Sequence, residues 1–202
     1  MPCTKVRDTV RLKSRLHSRE LGDDGRSSTD MITLVPTRLH WVKDDGSDDP
    51  LDLCVHSPVH FQIDGQTLVD AADGDFTVSA TAIYLLRTLA HDHTEENPVG
   101  EHLFPCCGHA IFDTGDDDVL ICGCPNGLDV SVVHNGDGTI CLRKASGETN
   151  IVTETEWRDA VRAFSDLVRR FYDDSLPKTP PTIDTDAYAK MMAEWDRRRN
   201  EK

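Results

Sequence analysis

The segment that most limits the fold lies near the C-terminus. In "TETEWRDAVRAFSDLVRRFYDD", Trp157, Ala160, Val161, Phe164, Leu167, Val168 and Phe171 recur at the spacing of one helical face over about five turns. Thr153 and Glu156 stand in the T-x-x-E relation of a capping box, in which hydroxyl and carboxylate satisfy free amide donors of the first turn. An aromatic face this wide must be buried, so the rest of the chain has to supply a surface that covers it.

The upstream sequence offers strands for that purpose. "MITLVPTRLHWV" reads as extended and is interrupted at Pro36; "LCVHSPVHFQID" and "QTLVD" flank Asp64-Gly65, a dipeptide favoured in tight hairpin turns. Two more hairpins are expected, "HAIFD" with "VLICG" about "TGDDD", and "DVSVVH" with "TICLRK" about "NGDG". Between them, "TVSATAIYLLRTLAHDH" switches to helical spacing, with Ala82, Ile83, Leu86 and Leu89 on one face and Thr77 or Ser79 as a cap. "LPKTPPT" breaks the long helix, and a last helix starts near Asp184, directing Tyr188, Met191, Met192 and Trp195 inward. Its end, "DRRRNEK", puts positive charge where the helix dipole favours it. The expectation is an α+β fold, a mainly antiparallel sheet of hairpins covered by helices, two of them C-terminal. Residues 1–30, basic and then turn-rich in "GDDGRSSTD", read as a flexible N-terminal tail, and residues 31–202 as a single domain.

Charge narrows the partners. The 202 residues carry a formal net charge of −14, which repels nucleic-acid phosphates and anionic membranes and accelerates association with a basic protein. Asp44, Asp45, Asp48 and Asp49 in one predicted loop, and Asp116, Asp117 and Asp118 in another, are the candidate partner-binding acids. No apolar run is long enough to span a bilayer, and the N-terminus lacks the apolar core of a signal peptide, so a cytoplasmic location is expected.

The stretch with most chemistry is "HLFPCCGHAIFDTGDDDVLICGC", which holds four of the seven cysteines and two of the nine histidines. Pairing its strands with Asp113 opposite Asp118 would set His109 against Cys122 and Cys107 against Cys124. Cys107, His109, Cys122 and Cys124 would then share one sheet face, a donor set suited to tetrahedral zinc, with His102 as a replacement ligand. The competing account treats these cysteines as small buried hydrophobes on central strands, and a slip of one residue in register separates His109 from Cys122. "HDH" at 91–93 reads as a solvated helix end, and "CPNG" as a tight turn whose amides Asp129 can bind. No phosphate-cradling loop, nucleophile elbow or dinucleotide fingerprint occurs, so no motif asks for an enzyme.

The segments "SATAIYLLRTL", "HLFPCCGHAIF", "CGCPNGLDVSVVH" and "AVRAFSDLVRRFYDDSLPK" together resemble a group of small bacterial proteins similar to the immunity proteins of polymorphic or contact-dependent toxin systems. The resemblance spans about residues 31–200 of the sequence. It implies a cytoplasmic α+β protein that binds and blocks a cognate toxin and has no active site of its own. Beside that inhibitor stand two other readings: a zinc-binding protein or zinc-dependent enzyme centred on the Cys/His hairpin, and a structural homodimer built on the aromatic helix.

Overall fold

The computed structural model describes residues 32–43, 47–108, 110–181 and 185–201. The expected N-terminal tail lies outside them. Six strands, β1 (Ile32–Pro36), β2 (His40–Trp41), β3 (Val55–Ser57), β4 (Val59–Ile63), β5 (Gln66–Val69) and β6 (Phe76–Thr77), precede helix α1 (Val78–Arg87). Then come β7 (Phe104–Pro105), β8 (Ala110–Asp113), β9 (Val119–Cys122), β10 (Gly127–Leu128), β11 (Val130–His134), β12 (Thr139–Lys144) and β13 (Thr149–Thr153). Helices α2 (Glu154–Asp173) and α3 (Thr185–Asn200) close the chain.

The α+β class holds, with antiparallel strand pairs and two C-terminal helices. The strands are nevertheless divided among five small sheets among the described residues, ordered β1-β4-β5, β2-β3-β6, β7-β10, β8-β9 and β11-β12-β13. Proline explains one division. Pro58 lacks an amide donor and splits "LCVHSPVHFQID", so that β3 joins β2 and β6 while β4 joins β1 and β5. The Asp64-Gly65 hairpin forms as expected, with both residues at positive φ, 51° and 82°, as a type I′ turn requires.

Helix α1 departs from its expected single apolar face. All residues from Val78 to Leu86 are buried, because the helix runs between strands and both C-terminal helices. Thr77 occupies its N-cap position without a capping hydrogen bond; its hydroxyl instead meets the Cys106 carbonyl oxygen at 3.4 Å. Helix α2 follows the sequence closely. The Glu156 amide donates to the Thr153 hydroxyl at 3.2 Å, and the Glu156 carboxylate accepts from the Thr153 amide at 2.8 Å. Trp157, Val161, Phe164 and Val168 are buried where the helix packs on α1 and β1, whereas Leu167, expected on the same face, is exposed.

Helix α3 is held by charge as well as by Met191 and Trp195. The Glu194 carboxylate, in a residue only 1% exposed, accepts from Arg87 Nε at 2.8 Å and Nη2 at 2.9 Å, and from Arg198 Nε at 2.8 Å. Arg87 also donates to the carbonyl oxygens of Val99 and Val119, at 2.7 and 2.6 Å. The arginines of "DRRRNEK" thus have specific partners: Arg197 and Arg198 bind Asp118, and Arg199 binds Asp166.

The segment after α2 is tied down at Lys178. Its ammonium lies 3.2 Å from the centroid of the Trp41 ring and 2.6 Å from Asp48 Oδ1, while Tyr172 donates its hydroxyl proton to the Leu53 carbonyl oxygen at 2.6 Å.

Candidate functional site

Strands β8 and β9 form a two-stranded sheet with a face open to solvent. Ala110 pairs with Cys122, Ile111 with Ile121, Phe112 with Leu120 and Asp113 with Val119. Ile111, Val119 and Ile121 point into the core. Phe112 and Leu120, directly opposite one another on the other face, are 51% and 49% exposed. A cross-strand pair of large apolar side chains in water costs free energy that a covering surface would recover.

The register lies one residue away from the expected one, in which Asp113 faced Asp118. Long-range partners account for the difference. Asp118 is drawn from the strand by Arg197 and Arg198, each 2.6 Å from one of its carboxylate oxygens. Val119 takes the strand position instead: its amide donates to Glu194 Oε2 at 2.9 Å, and its carbonyl oxygen accepts from Arg87. Cys122 therefore sits opposite Ala110, on the outer face with Phe112 and Leu120. His109 lies outside the described residues.

Cys107 and Cys124 do meet, by another route. The pairing of β7 with β10 sets Pro105 against Gly127 and Phe104 against Leu128, which brings residues 106–107 alongside the turn 123–126. The Cys106 amide donates to the Asn126 carbonyl oxygen at 3.0 Å, and the Cys124 amide donates to Cys107 Sγ at 2.8 Å. The approach requires glycine at 123, where a Cβ would fall 1.9 Å from the Cys107 carbonyl oxygen. Hydrogen bonds from the Cys107 thiol, the Asn126 backbone and the Cys106 thiol hold the Cys124 thiol below its ordinary pKa. The Cys107 thiol is raised, first by burial and then by Cys124. His102, the expected replacement ligand, keeps a buried Nδ1 without a hydrogen-bond partner. Among the described residues, no group of three or more His, Cys, Asp or Glu side chains is arranged to hold a metal ion.

Among the described residues, the cysteines therefore divide into three kinds. Cys54 fits the account of a small core hydrophobe: it is buried, its thiol meets the Gly108 carbonyl oxygen at 3.3 Å, and burial pushes its pKa up to about 12. Cys141 is buried and disulfide-bonded. Cys106, Cys107, Cys122 and Cys124 are free and all retain solvent contact.

The acidic clusters are also sorted by their partners. Asp48 binds Lys178 and the Leu176 amide, and Asp49 binds Lys43 and the Leu51 amide. Asp113, at the end of β8, pairs with Lys190. Asp116 and Asp117 stand exposed at the tip of the β8–β9 hairpin. Asp44 and Asp45 lie outside the described residues.

"HDH" is not a solvated helix end throughout. His91 is exposed, but His93 is fully buried and bridges to Val132 by paired backbone hydrogen bonds of 2.8 and 2.9 Å. Its Nδ1 accepts from the Val99 amide at 3.1 Å, so Nε2 carries the proton and donates to Asp129 Oδ1 at 2.6 Å. Asp129 also accepts from the Leu103 amide at 2.9 Å, which fixes the chain entering β7. Burial alone would raise the Asp129 carboxyl, but the hydrogen bonds it accepts from His93 and the Leu103 amide hold it below the ordinary carboxylate range. A depressed carboxyl stabilises the fold above its unfolded pKa of about 3.9, and that stabilisation is lost as pH falls through the folded value. Stability to urea is expected to hold steady above about pH 5 and to decline below about pH 4, with Asp129→Asn removing part of the acid-side slope. An unchanged slope in that variant would show that Asp129 contributes nothing to it.

No family model, curated protein or solved structure matches this chain. Among the described residues, no helix is long and apolar enough to cross a membrane.

Proposed function

We propose that this chain is a binding protein that takes a basic protein partner on the outer face of the β8–β9 hairpin, in the manner of a cytoplasmic immunity-like inhibitor neutralising a toxin. The exposed Phe112–Leu120 pair is the observation that carries this reading. Such a pair supplies the apolar centre that binding energy concentrates on, and Asp116 and Asp117 at the tip supply a polar rim of the sign that attracts basic groups. The net charge of −14 adds long-range attraction.

The test places a photo-crosslinking residue at position 120 and, as a control, at Ile151, an exposed apolar position on β13. In cells of the source organism, position 120 is expected to capture a basic protein, and position 151 is not. The complex should then associate about tenfold more slowly when salt rises from 50 to 300 mM, as attraction between opposite charges is screened. Capture of a second copy of this chain, or equal capture at both positions, would overturn the proposal.

A further inference from the structure

We infer that Cys124 and Cys107 form a peroxide-responsive dithiol, in which Cys124 attacks the oxidant and Cys107 resolves the product into a disulfide. Three observations carry it. Cys107 Sγ accepts from the Cys124 amide at 2.8 Å, and the Cys107 and Cys124 thiols are within hydrogen-bonding reach of each other. Side-chain-free Gly123 lets the Cys107 backbone approach, and the Cys106 amide bound to the Asn126 carbonyl oxygen holds the two segments in that position. Cys124 also retains solvent contact, unlike Cys54, which is sealed in the core. A reactive thiol that small molecules can reach, beside a second thiol able to close on it, is the arrangement that reversible thiol oxidation needs.

The chemistry balances with a hydroperoxide as oxidant. The Cys124 thiolate attacks one peroxide oxygen; the S–O bond forms, the O–O bond breaks, and the departing oxyanion takes a proton to leave as water or an alcohol. Sulfur is oxidised by two electrons and the peroxide is reduced. The Cys107 thiolate then attacks the Cys124 sulfenic sulfur; the S–S bond forms, the S–O bond breaks, and hydroxide leaves as water with the proton Cys107 gave up. A dithiol reductant reverses the step by exchange. The bridge clamps the base of the hairpin, since Cys107 lies just before β8 and Cys124 just after β9.

The experiment uses the full chain without any partner, so its outcome is separate from the docking proposal. Protein treated with a mild thiol reductant and desalted is exposed to an equimolar amount of hydrogen peroxide and alkylated. It is then cut at aspartate, which separates Cys107 from Cys124 within 113–118. A linked pair of peptides, two hydrogens lighter than their sum, is the expected product, and its fragmentation should place the bridge at Cys107 and Cys124 and the alkyl groups at Cys106 and Cys122. In Cys107→Ser, a sulfenic-acid probe should label Cys124 at least about tenfold faster than Cys122. In Cys124→Ser, peroxide consumption should fall by about the same factor. Circular dichroism confirms that both variants are folded. A bridge between other cysteines, or wild-type peroxide consumption by folded Cys124→Ser, would overturn the inference.

Discussion

Glu194→Ala is expected to cost about 3–5 kcal/mol of folding stability, the range for leaving buried charges uncompensated. The carboxylate is enclosed, and two guanidinium groups aim at it from different helices: Arg87 of α1 and Arg198 of α3, with side chains only 11% and 5% exposed. Removing the anion leaves both cations in a site that excludes water, and the Val119 amide without its acceptor. Chemical denaturation of Glu194→Ala, Arg87→Met and the double variant forms a cycle that separates pairing from truncation. Strong coupling is expected, with the double variant losing less than the two single losses added together. Additive losses would mean that the pair does not act as a unit. Amide exchange in β9 should also accelerate, because Val119 is held to α1 and α3 through these same groups.

A second large loss is expected for Trp157→Ala, about 3–5 kcal/mol for deleting a buried indole that the surroundings cannot refill. The side chain is fully buried, packs on Phe61 with ring centroids 6.0 Å apart, and donates its Nε1 proton to the Thr88 hydroxyl at 3.0 Å. Trp157→Phe keeps most of the apolar volume and loses that hydrogen bond, so it should cost about 1–2 kcal/mol. Denaturant titrations of the two variants check the order. Equal losses would assign the indole's contribution to its hydrogen bond rather than to its volume.

Local signals were legible where local chemistry decides structure. The Thr153–Glu156 box and the apolar rows of α2 were readable because caps and helical faces involve residues three and four apart. Asp64-Gly65 was readable because few residues tolerate the positive φ that its turn demands. The hairpin register was not, because Asp118 is claimed by Arg198, 80 positions later, and Val119 by Arg87 and Glu194, which are themselves 107 positions apart. Nor was the meeting of Cys106, Cys107 and Cys124, which depends on the two-residue strands β7 and β10, too short to leave a periodic signal. His93 looked like a polar helix end because nothing nearby in sequence shows that Asp129 and Val132 will cover it. The division into sheets showed in the sequence at Pro36 but not at Pro58, where "LCVHSPVHFQID" read as one strand because its apolar residues continue across the proline.

The docking face can be tested most directly by titrating the partner captured at position 120 against wild-type protein, Leu120→Asp and the control Ile151→Asp. Both positions are exposed, so both substitutions should leave the fold intact. If the Phe112–Leu120 face is the centre of the interface, Leu120→Asp weakens binding at least about 100-fold, about 2.7 kcal/mol, while Ile151→Asp stays within about threefold of wild type. Equal affinity for wild type and Leu120→Asp would contradict the assignment of that face.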